Sequence, residues 1–542
     1  MKLLAMHIAG HDANVTYYDG EKVQYCKIER IVQKKHYAYT QTTSDYYNWI
    51  QVKQDLHFLN IDWNNLDTVC FSYAGRRSAD WVDKSQPFRT DDTLVAEVTP
   101  EQFDYCFPNL NITAKKYIRV DHHYAHHLSA RFLYGDEYTS GVVIDGAGDY
   151  WNHISVFKDD KKIIKYDFQN MFSIGELYTN WGNRSLGKEY ADVDELAQIS
   201  QDTAGNVMGL MSYGKFNVPF AKKVANLHLE ECVEALLNEH AFARQFMNSH
   251  HHYHEKTWQS AKPAVAAWWY VDYMHTCQEI LREKIRDFFA RHFTSQDKIT
   301  FSGGVAHNVL INQTLNDHFV NLAIPPCVGD EGLSLGAMKY LSTLYNLDLS
   351  FPTGQAAQIT PSVIPDKHIS IIAQELCNGK IVATCSGEGE IGPRALGNRS
   401  LLYRTDMLNA PKYFNSRGLK RREWWRPYGI SILEEDMESY LNTTTLSPYM
   451  LHVANPTSLG KDVLSGVLHV DNTVRYQTVN ESNGWYYKLL VELKNLTGHG
   501  VVVNTSLNCQ GAPLINTPIE ALSFHHQYKP DASFIGDEMY VS

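Results

Sequence analysis

The feature that most constrains the fold of this sequence is a pattern that occurs twice. Residues 3–8 form a short apolar run that stops at a Gly-His-Asp break (10–12), and two more runs follow on either side of an Asp-Gly turn dipeptide (19–20). The same order returns at residues 142–144, which stop at Asp-Gly-Ala-Gly (145–148) and lead into a second pair of runs. A strand, a glycine break and a hairpin, repeated, predict an internally duplicated α/β domain.

The length of the chain indicates a second domain. At 542 residues it is too long for one ordinary core. Residues 349–366 contain several prolines and small polar residues, which is typical of a linker. We therefore predict an N-terminal domain over residues 1–350 and a C-terminal domain over residues 365–542. The two hairpin-bearing halves of the first domain resemble the actin-like ATPase fold, in which the first turn of each half faces a phosphate.

Composition limits the class of protein. Apolar residues make up 44% and charged residues 20%, as in soluble globular proteins, and no stretch reaches the roughly 18 apolar residues that a membrane-spanning helix needs. Nine cysteines without a Cys-x-x-Cys pair indicate reduced thiols, so we expect a cytoplasmic protein with no membrane partner. The formal net charge of −12 argues against broad binding to nucleic acid, but not against a local basic groove.

A histidine-rich segment, residues 122–127, is the first candidate site. His122 and His126 are four residues apart, so on a helix both imidazoles face one point, and imidazole is the commonest metal ligand. Asp145 and Asp330 each stand where an apolar run stops at glycines, a position suited to ion binding. These four side chains predict a site for Fe²⁺ or Mn²⁺ rather than a closed zinc site, with Mg²⁺ also possible. A histidine-rich surface helix is the alternative.

Two other segments predict contacts to anions. Gly303 and Gly304 follow a short strand and precede a helix, which lets backbone amides approach a phosphate. Residues 415–426 concentrate lysine and arginine in an otherwise acidic protein. Guanidinium groups there suit phosphate or carboxylate, although a solvated basic loop is the alternative. Further on, hydroxyl and amide side chains at residues 504–508 follow an apolar strand at 500–503 and could orient a ligand.

Taken together, these segments resemble the antibiotic and nodulation O-carbamoyltransferases, the family of the tobramycin, cephem and Nod-factor carbamoyltransferases. The resemblance covers nearly the whole chain, and its most specific motif is Gly-Pro-Arg-Ala-Leu-Gly-Asn-Arg-Ser at residues 392–400. Other matching motifs are His-His-x-x-His (122–126), Ser-Gly-Gly-Val-Ala-x-Asn (302–308) and Asn-Thr-Ser-x-Asn (504–508). The chain departs from the family pattern at Gly205, Asn206, Leu507 and Ala512, which bears on the choice of acceptor more than on the chemistry.

The resemblance implies a division of labour between the domains. The N-terminal domain would be TsaD-like, an actin-like fold that holds a metal and a nucleotide. The C-terminal domain would be YrdC-like and would convert ATP and carbamoyl phosphate to carbamoyl-adenylate. An acceptor hydroxyl would then attack the carbonyl of this intermediate in the N-terminal domain, and AMP would leave.

The resemblance also implies roles for individual residues. His11 would act as a base or position the acceptor, and Lys420 and Arg422 would act on carbamoyl phosphate. The residues expected to bind the nucleotide are Gly146, Gly209, Gly303, Gly304, Asn308 and Gly332. The residues expected to bind carbamoyl phosphate or the adenylate are Arg394, Lys420, Arg422, His469, Arg475, Asn504, Thr505 and Asn508.

The acceptor and two other functions stay open. The acceptor hydroxyl could belong to a sugar or another natural product, or to a hydroxymethylated pyrimidine in nucleic acid, and a homodimer is possible. Histidines and aromatic residues within 239–270 could form a wall of the acceptor site, but an ordinary surface loop is the simpler interpretation. The alternative functions are a threonylcarbamoyl-type tRNA-modifying enzyme and a non-catalytic nucleotide-binding regulator.

Overall fold

The fold is described from a computed structural model of the chain. The description covers residues 1–39, 49–72, 93–146, 148–149, 152–167, 173–186, 204–237, 268–407, 410–420, 422–509 and 511–542. Residues 239–270 were considered above as a possible wall of the acceptor site. Of these, residues 239–267, which include the histidine run 250–254, lie outside the described residues.

We refer to the part of the chain that forms the first two sheets as the N-terminal unit. Its first half is a six-stranded sheet. Its strands are β1 (Leu3–His7), β2 (Asn14–Tyr18), β3 (Val23–Lys27), β4 (Leu66–Phe71), β5 (Val95–Val98) and β6 (Ala114–Val120). They are arranged in the order β3-β2-β1-β4-β6-β5. The β1–β2–β3 meander is antiparallel, whereas β4 and β6 continue the sheet parallel to β1. The hairpin turns at residues 19–20, as predicted from the Asp-Gly dipeptide.

The second half repeats this arrangement. Its strands are β7 (Ser140–Ile144), β8 (Asn152–Lys158), β9 (Lys161–Asp167), β10 (Ile299–Ser302) and β11 (Leu322–Ala323), in the order β11-β10-β7-β8-β9. Again an antiparallel meander is followed by strands parallel to the first one. Apart from the edge strand β5, the two sheets have the same topology, which confirms the predicted duplication.

A third sheet contains every strand that the structure describes after residue 380. Its strands are β12 (Val382–Cys385), β13 (Arg399–Tyr403), β14 (Gly429–Leu433), β15 (His452–Ala454), β16 (Val474–Val479), β17 (Val501–Ser506), β18 (Ala532–Ile535) and β19 (Glu538–Val541). Their order is β15-β16-β14-β17-β13-β12-β18-β19. Leu401 and Leu402 join different apolar clusters because neighbouring side chains on a strand point to opposite faces. The sheet is therefore covered on both sides. We refer to the part of the chain that forms it as the C-terminal unit.

Helices cover the sheets. Among the described residues, those in the N-terminal unit are Glu29–Val32, Trp49–Asp55, Pro100–Cys106, His122–Tyr134, Ile174–Leu186, Val218–Val224, Leu229–Leu237, Trp268–His292, Val309–Asn316 and Leu333–Leu344. Those in the C-terminal unit are Asp366–Cys377, Ala410–Ser416, Met437–Tyr440, Ser458–Val463, Trp485–Thr497 and Pro518–Tyr528. His122–Tyr134 and Leu333–Leu344 cross so closely that a Cβ at Gly336 would lie 1.8 Å from the Ala125 carbonyl oxygen. This close crossing brings the start of each helix to the same place.

The two units meet through a buried polar contact. Arg30, only 1% exposed, donates hydrogen bonds to the carbonyl oxygens of Glu390 and Gly392. Gln355, in the segment that the sequence indicates as a linker, is fully buried and forms bridges to Tyr25 in β3 and to Gly389. The connecting segment is therefore itself part of the contact between the units. Among the described residues, no helix is both long and apolar enough to cross a membrane.

Candidate functional site

The helix His122–Tyr134 presents two of the predicted metal ligands on a buried face. Asp121 caps its first turn by accepting a hydrogen bond from the Tyr124 amide at 2.9 Å. His122 and His126 are one turn apart and fully buried, and the centroids of their rings are 4.8 Å apart. The i,i+4 spacing therefore brings two imidazoles together.

Two carboxylates complete the group, which we call the four-ligand cluster: His122, His126, Asp145 and Asp330. His122 Nε2 lies 3.0 Å from Asp145 Oδ2 and 3.3 Å from Asp330 Oδ1. His126 Nε2 lies 3.4 Å from each of the same two oxygens. Asp145 follows β7, and Asp330 precedes the Leu333–Leu344 helix, so three separate segments converge here.

The donor set of the four-ligand cluster fits a divalent cation. Ligand atoms bound at about 2.1 Å to one ion lie roughly 3.0–3.4 Å from one another, which matches the distances from the imidazole nitrogens to the carboxylate oxygens. The two Nε2 atoms are 3.1 Å apart, so two neutral imidazoles could share one ion through them. That the cluster binds a metal, with Fe²⁺ or Mn²⁺ favoured, stays a prediction.

Opposite charges balance within the cluster. Burial disfavours a charged imidazole, but the Asp330 and Asp145 carboxylates outweigh it and hold the pKa of His122 well above its ordinary value. Burial acts to raise the pKa of Asp145, but hydrogen bonds from His122 and His126 hold it well below its ordinary range. The cluster thus combines buried groups whose charges compensate one another.

Three of the glycines predicted to bind a nucleotide lie around Asp145. Gly304 donates its amide to Asp145 Oδ1 at 2.8 Å, and Gly146 directly follows Asp145. Gly303 has a φ of +90°, and a Cβ there would lie 2.4 Å from the Ile144 carbonyl oxygen, so this position requires glycine. The Gly303 amide donates to the Val328 carbonyl oxygen, so the amides of Gly303 and Gly304 both have partners within the protein, and nucleotide binding stays a prediction.

The other three predicted nucleotide ligands have different surroundings. Gly332 lies in the turn just after Asp330, whereas a Cβ at Gly209 would meet Pro427 and Trp425 of the C-terminal unit. Asn308 caps the next helix, because its Oδ1 accepts hydrogen bonds from two backbone amides. Its Nδ2 donates to Tyr178 and Gln278, so both polar atoms of the side chain already have partners.

His11 lies at the edge of the four-ligand cluster. Its Nε2 is 3.5 Å from Asp330 Oδ2, and its Nδ1 is 3.0 Å from Asp12 Oδ2. The side chain is 43% exposed, while the cluster beside it is buried. One ring nitrogen of His11 is therefore held by a carboxylate, and the ring remains accessible from outside.

The C-terminal unit gathers five basic side chains, which we call the cationic pocket: Arg394, Lys420, Arg422, Arg426 and Arg475. Lys420 Nζ donates to Asn508 Oδ1 at 2.9 Å, and Arg422 donates to the hydroxyls of Thr505 at 3.3 Å and Ser506 at 2.9 Å. Among the described residues, no carboxylate lies within ion-pair distance of any member except Arg426, which is 3.4 Å from Glu423. The positive charge of the pocket is therefore largely uncompensated.

The basic side chains of this pocket repel one another, and this repulsion, together with burial, lowers the pKa values of several of them. Burial, and then Arg426, lower the pKa of Arg422 to about 10. Burial, followed by Arg394, Arg422 and Arg426, holds the pKa of Arg475 well below its ordinary value. Burial and the arginines Arg422 and Arg426 do the same to Lys420. Such an arrangement is typical of a pocket that receives an anion. Arg426, which we did not assign a role from the sequence, belongs to it.

The remaining predicted adenylate ligands are divided between two places. Thr505 and Asn508 contact Arg422 and Lys420. Asn504 is fully buried in β17, where its amide donates to the Ala395 carbonyl and the Ser431 hydroxyl. The expected strand end at residue 503 is therefore wrong, because β17 continues to Ser506. His469 contacts the Gly209 carbonyl at 2.9 Å, at the contact between the units.

Arg394 connects the cationic pocket with the N-terminal unit. Its charge acts on Arg475 and Arg422, and it also lowers the pKa of His307, after the larger effects of burial and of Glu331. The loop that carries Arg394 is so close to residues before Asp330 that a Cβ at Gly392 would lie 2.2 Å from the Pro326 carbonyl oxygen. One edge of the pocket thus lies close to the segment that leads to Asp330.

Comparison with family models accounts for nearly the whole chain. The model described as carbamoyltransferase N-terminus matches residues 2–338, and the model described as carbamoyltransferase C-terminus matches residues 373–541. These ranges contain the four-ligand cluster and the cationic pocket, respectively.

Similar proteins agree with these matches. The chain is 27% identical to an uncharacterized protein of Methanocaldococcus jannaschii, over 78% of this chain and 74% of that one. It is 26% identical to the nodulation protein NolO of Bradyrhizobium diazoefficiens, over 74% of this chain and 75% of that one. It is 29% identical to the 3'-hydroxymethylcephem-O-carbamoyltransferase of Amycolatopsis lactamdurans, over 48% of this chain and 53% of that one. The chain therefore belongs to the carbamoyltransferase family.

Proposed function

We propose that this transferase is an ATP-dependent O-carbamoyltransferase. Carbamoyl phosphate, ATP, water and an acceptor hydroxyl would give the carbamate ester, AMP, pyrophosphate and phosphate. Carbamoyl-adenylate is the intermediate, formed in a YrdC-like C-terminal unit and consumed in an actin-like, TsaD-like N-terminal unit. The observation that carries the proposal is an uncompensated cationic pocket, whose Arg394 lies on a loop packed against the segment that leads to Asp330 of the balanced four-ligand cluster.

The cationic pocket supports the first half of this reaction. Carbamoyl phosphate and the triphosphate of ATP are both anions, and guanidinium forks suit their oxygens. Arg422 and Lys420 are held by Thr505, Ser506 and Asn508, so their positions do not depend on an anion. A preorganised donor array of this kind stabilises charge that develops as a phosphate leaves. We assign Arg394 and Arg475 to the same anion.

The four-ligand cluster supports the second half. His122, His126, Asp145 and Asp330 would hold a divalent cation, which stabilises the charge on phosphate oxygens as AMP leaves. His11 Nε2, 3.5 Å from Asp330, faces the same place and would remove the proton of the acceptor hydroxyl. Gly146 directly follows Asp145 and has open space around it, so a nucleotide phosphate could approach the cluster there, with Gly303 and Gly304 beside it.

Release of AMP tests this proposal against its alternatives. AMP should form only when ATP and carbamoyl phosphate are both present. Release of AMP that does not require carbamoyl phosphate would favour a threonylcarbamoyl-type tRNA modifier. ATP binding with no turnover under either condition would favour a nucleotide-binding regulator.

The acceptor is found by a screen that follows the carbamoyl group. Candidate hydroxyl compounds include aminoglycosides, cephems, oligosaccharides and DNA that contains hydroxymethylated pyrimidines. Mass spectrometry should detect a product heavier by one carbamoyl group, and its formation should require ATP. The similarity to the 3'-hydroxymethylcephem-O-carbamoyltransferase favours a small molecule.

A further inference from the structure

Beside His11 lies a group of buried charges that the proposed reaction does not use. It consists of Asp12, Lys27, Glu29 and His36, and we call it the buried charge cluster. Lys27 Nζ lies 2.8 Å from Asp12 Oδ1 and 3.2 Å from Glu29 Oε1. His36 Nδ1 lies 3.0 Å from Asp12 Oδ2, and its backbone amide donates to Glu29 Oε2 at 2.8 Å. Asp12 is therefore surrounded by donors.

The ammonium of Lys27 takes the place that a cation would have between these carboxylates. Its side chain is 5% exposed, and a buried ammonium requires compensating charge close by. Burial acts to raise the pKa of Asp12, but Lys27 and His36 outweigh it and hold this pKa well below the ordinary value. Asp12 is therefore a carboxylate, and a carboxylate can only accept hydrogen bonds.

The backbone fixes the position of Asp12 relative to His11. Asp12 has a φ of +53°, a left-handed conformation that aspartate tolerates better than most residues. Asn14 holds the turn, because its side-chain amide donates to the carbonyl oxygens of Asp12 at 2.7 Å and Asp330 at 2.8 Å. The 3.0 Å contact from His11 Nδ1 to Asp12 Oδ2 is thus built into the end of β1.

We propose that Asp12, supported by Lys27, is a positioning residue that fixes the tautomer of His11. The proton lies on Nδ1, because its 3.0 Å hydrogen bond to Asp12 is shorter than the 3.5 Å from Nε2 to Asp330 Oδ2, and Nε2 keeps its lone pair on the side of the four-ligand cluster. The use of this lone pair rests on the proposed function. When the acceptor oxygen bonds to the carbamoyl carbon, its proton passes to Nε2, the carbon–oxygen bond to AMP breaks, and the proton later leaves to water. Asp12 stays ionised throughout.

The tautomer can be observed without any acceptor. The full chain, labelled with ¹⁵N-histidine and supplied with diamagnetic Zn²⁺, is examined by long-range ¹H–¹⁵N NMR, and His11→Gln identifies the His11 signals. We expect Nδ1–H and an unprotonated Nε2 in the wild type, and a change towards Nε2–H in Asp12→Asn. An Nε2–H tautomer in the wild type, or an unchanged pattern in Asp12→Asn, would overturn the proposal.

Asp160→Asn is a matched control. Like Asp12, Asp160 has a positive φ, of +58°. Its carboxylate also lies between a histidine and a cation, because His127 Nε2 is 3.6 Å away and Arg131 forms an ion pair with Asp160. It lies in the β8–β9 turn, outside the four-ligand cluster. This variant should leave the His11 signals unchanged. If both aspartate variants change them equally, the effect is a general structural one and the proposal is wrong.

A second measurement uses two small nucleophiles, methanol and hydroxylamine, with ATP and carbamoyl phosphate. A hydroxyl needs a base, whereas the amine of hydroxylamine attacks without one. Asp12→Asn should lower the ratio of carbamoylated methanol to carbamoylated hydroxylamine by about 100-fold, within the range for general base catalysis. An unchanged ratio would overturn the positioning role. If the wild type releases no AMP from ATP and carbamoyl phosphate, the proposed function is wrong, but the NMR measurement still tests the tautomer of His11.

Discussion

The four-ligand cluster and the cationic pocket are both buried and polar, but their charges are arranged in opposite ways. In the cluster, two carboxylates face two imidazoles at 3.0–3.4 Å. In the pocket, five basic groups face one another, and among the described residues only Arg426 has a carboxylate within ion-pair distance. The cluster therefore holds itself together, whereas the pocket is stable only because the fold around it opposes the repulsion.

This difference indicates what each region is organised to receive. A balanced set of donors keeps its geometry before the cation arrives and binds it with little rearrangement. Uncompensated charge raises the free energy of the empty pocket, and an anion relieves that strain when it binds. Changes in the cluster should thus reduce both stability and activity, but changes in the pocket should affect them in opposite directions.

The largest effect is expected in the cluster. His126→Ala removes one of four ligands and should reduce metal affinity and carbamoyl transfer by more than about 100-fold. Changing a group that only hydrogen-bonds to a metal ligand typically costs about 10- to 100-fold, and losing a ligand should cost more. Carbamoyl-adenylate formation should continue. Metal analysis and product assays check this, with His127→Ala as the control, because His127 is buried on the same helix but bonds to Thr300. Full transfer by metal-free His126→Ala protein would refute the site.

In the pocket, Arg422→Ala should impair formation of the adenylate. The loss of a charge-assisted contact to phosphate costs about 2 kcal/mol, or about 30-fold in the rate of carbamoyl-dependent AMP release. Supplied carbamoyl-adenylate should restore transfer. Arg404→Ala is the control, since Arg404 is paired with Asp406 outside the pocket. Consumption of carbamoyl phosphate at the wild-type rate would show that the pocket is wrongly assigned.

Stability should change in the opposite direction in the pocket. Arg475→Leu removes one member of a repelling group, so the free energy of unfolding of the protein without anion should rise by about 0.5–1 kcal/mol. Inorganic phosphate should then stabilise the wild type more than the variant. Denaturant titrations with and without phosphate measure both effects. If Arg475→Leu is less stable than the wild type, and phosphate stabilises the two proteins equally, the comparison is wrong.

The smallest effect concerns pH. Burial and the neighbouring arginines hold the pKa of Lys420 below its ordinary value of 10.5. The unfolded chain therefore binds more protons between these two pKa values, so this group should make stability rise with pH in that range. Comparing the free energy of unfolding at several alkaline pH values in wild type and Lys420→Met measures the contribution. The wild type should gain more stability over this range, and equal slopes would contradict the prediction.

The four-ligand cluster could be predicted because each member carries a local signal. The spacing of His122 and His126 indicates one face of a helix. Glycines lie next to Asp145 at the end of β7 and next to Asp330 in the turn before the Leu333–Leu344 helix. The duplication was readable for the same reason, since each half repeats a strand, a glycine break and a hairpin. Signals of this kind depend on a few neighbouring residues and not on the fold as a whole.

Other features depend on contacts between distant segments. Asn308 has the same sequence context whether it binds a phosphate or caps a helix, and only its contacts to Tyr178 and Gln278 distinguish the two. Lys27 lies at the end of an ordinary hairpin strand, and nothing near it in sequence indicates two carboxylate partners. Asn504 continues β17 because Leu402 pairs with it, a pairing that the sequence does not reveal.

The buried contact of Arg30 has a consequence for synthesis of the chain. Its partners, the carbonyl oxygens of Glu390 and Gly392, are more than 350 residues further along, with Glu390 exactly 360 positions away. At about 5–20 residues per second, a ribosome needs roughly 20–70 s to reach them. During that interval the nascent N-terminal unit exposes the surface that later receives its partner. Slow synthesis or pausing in this stretch should therefore increase the demand for chaperones.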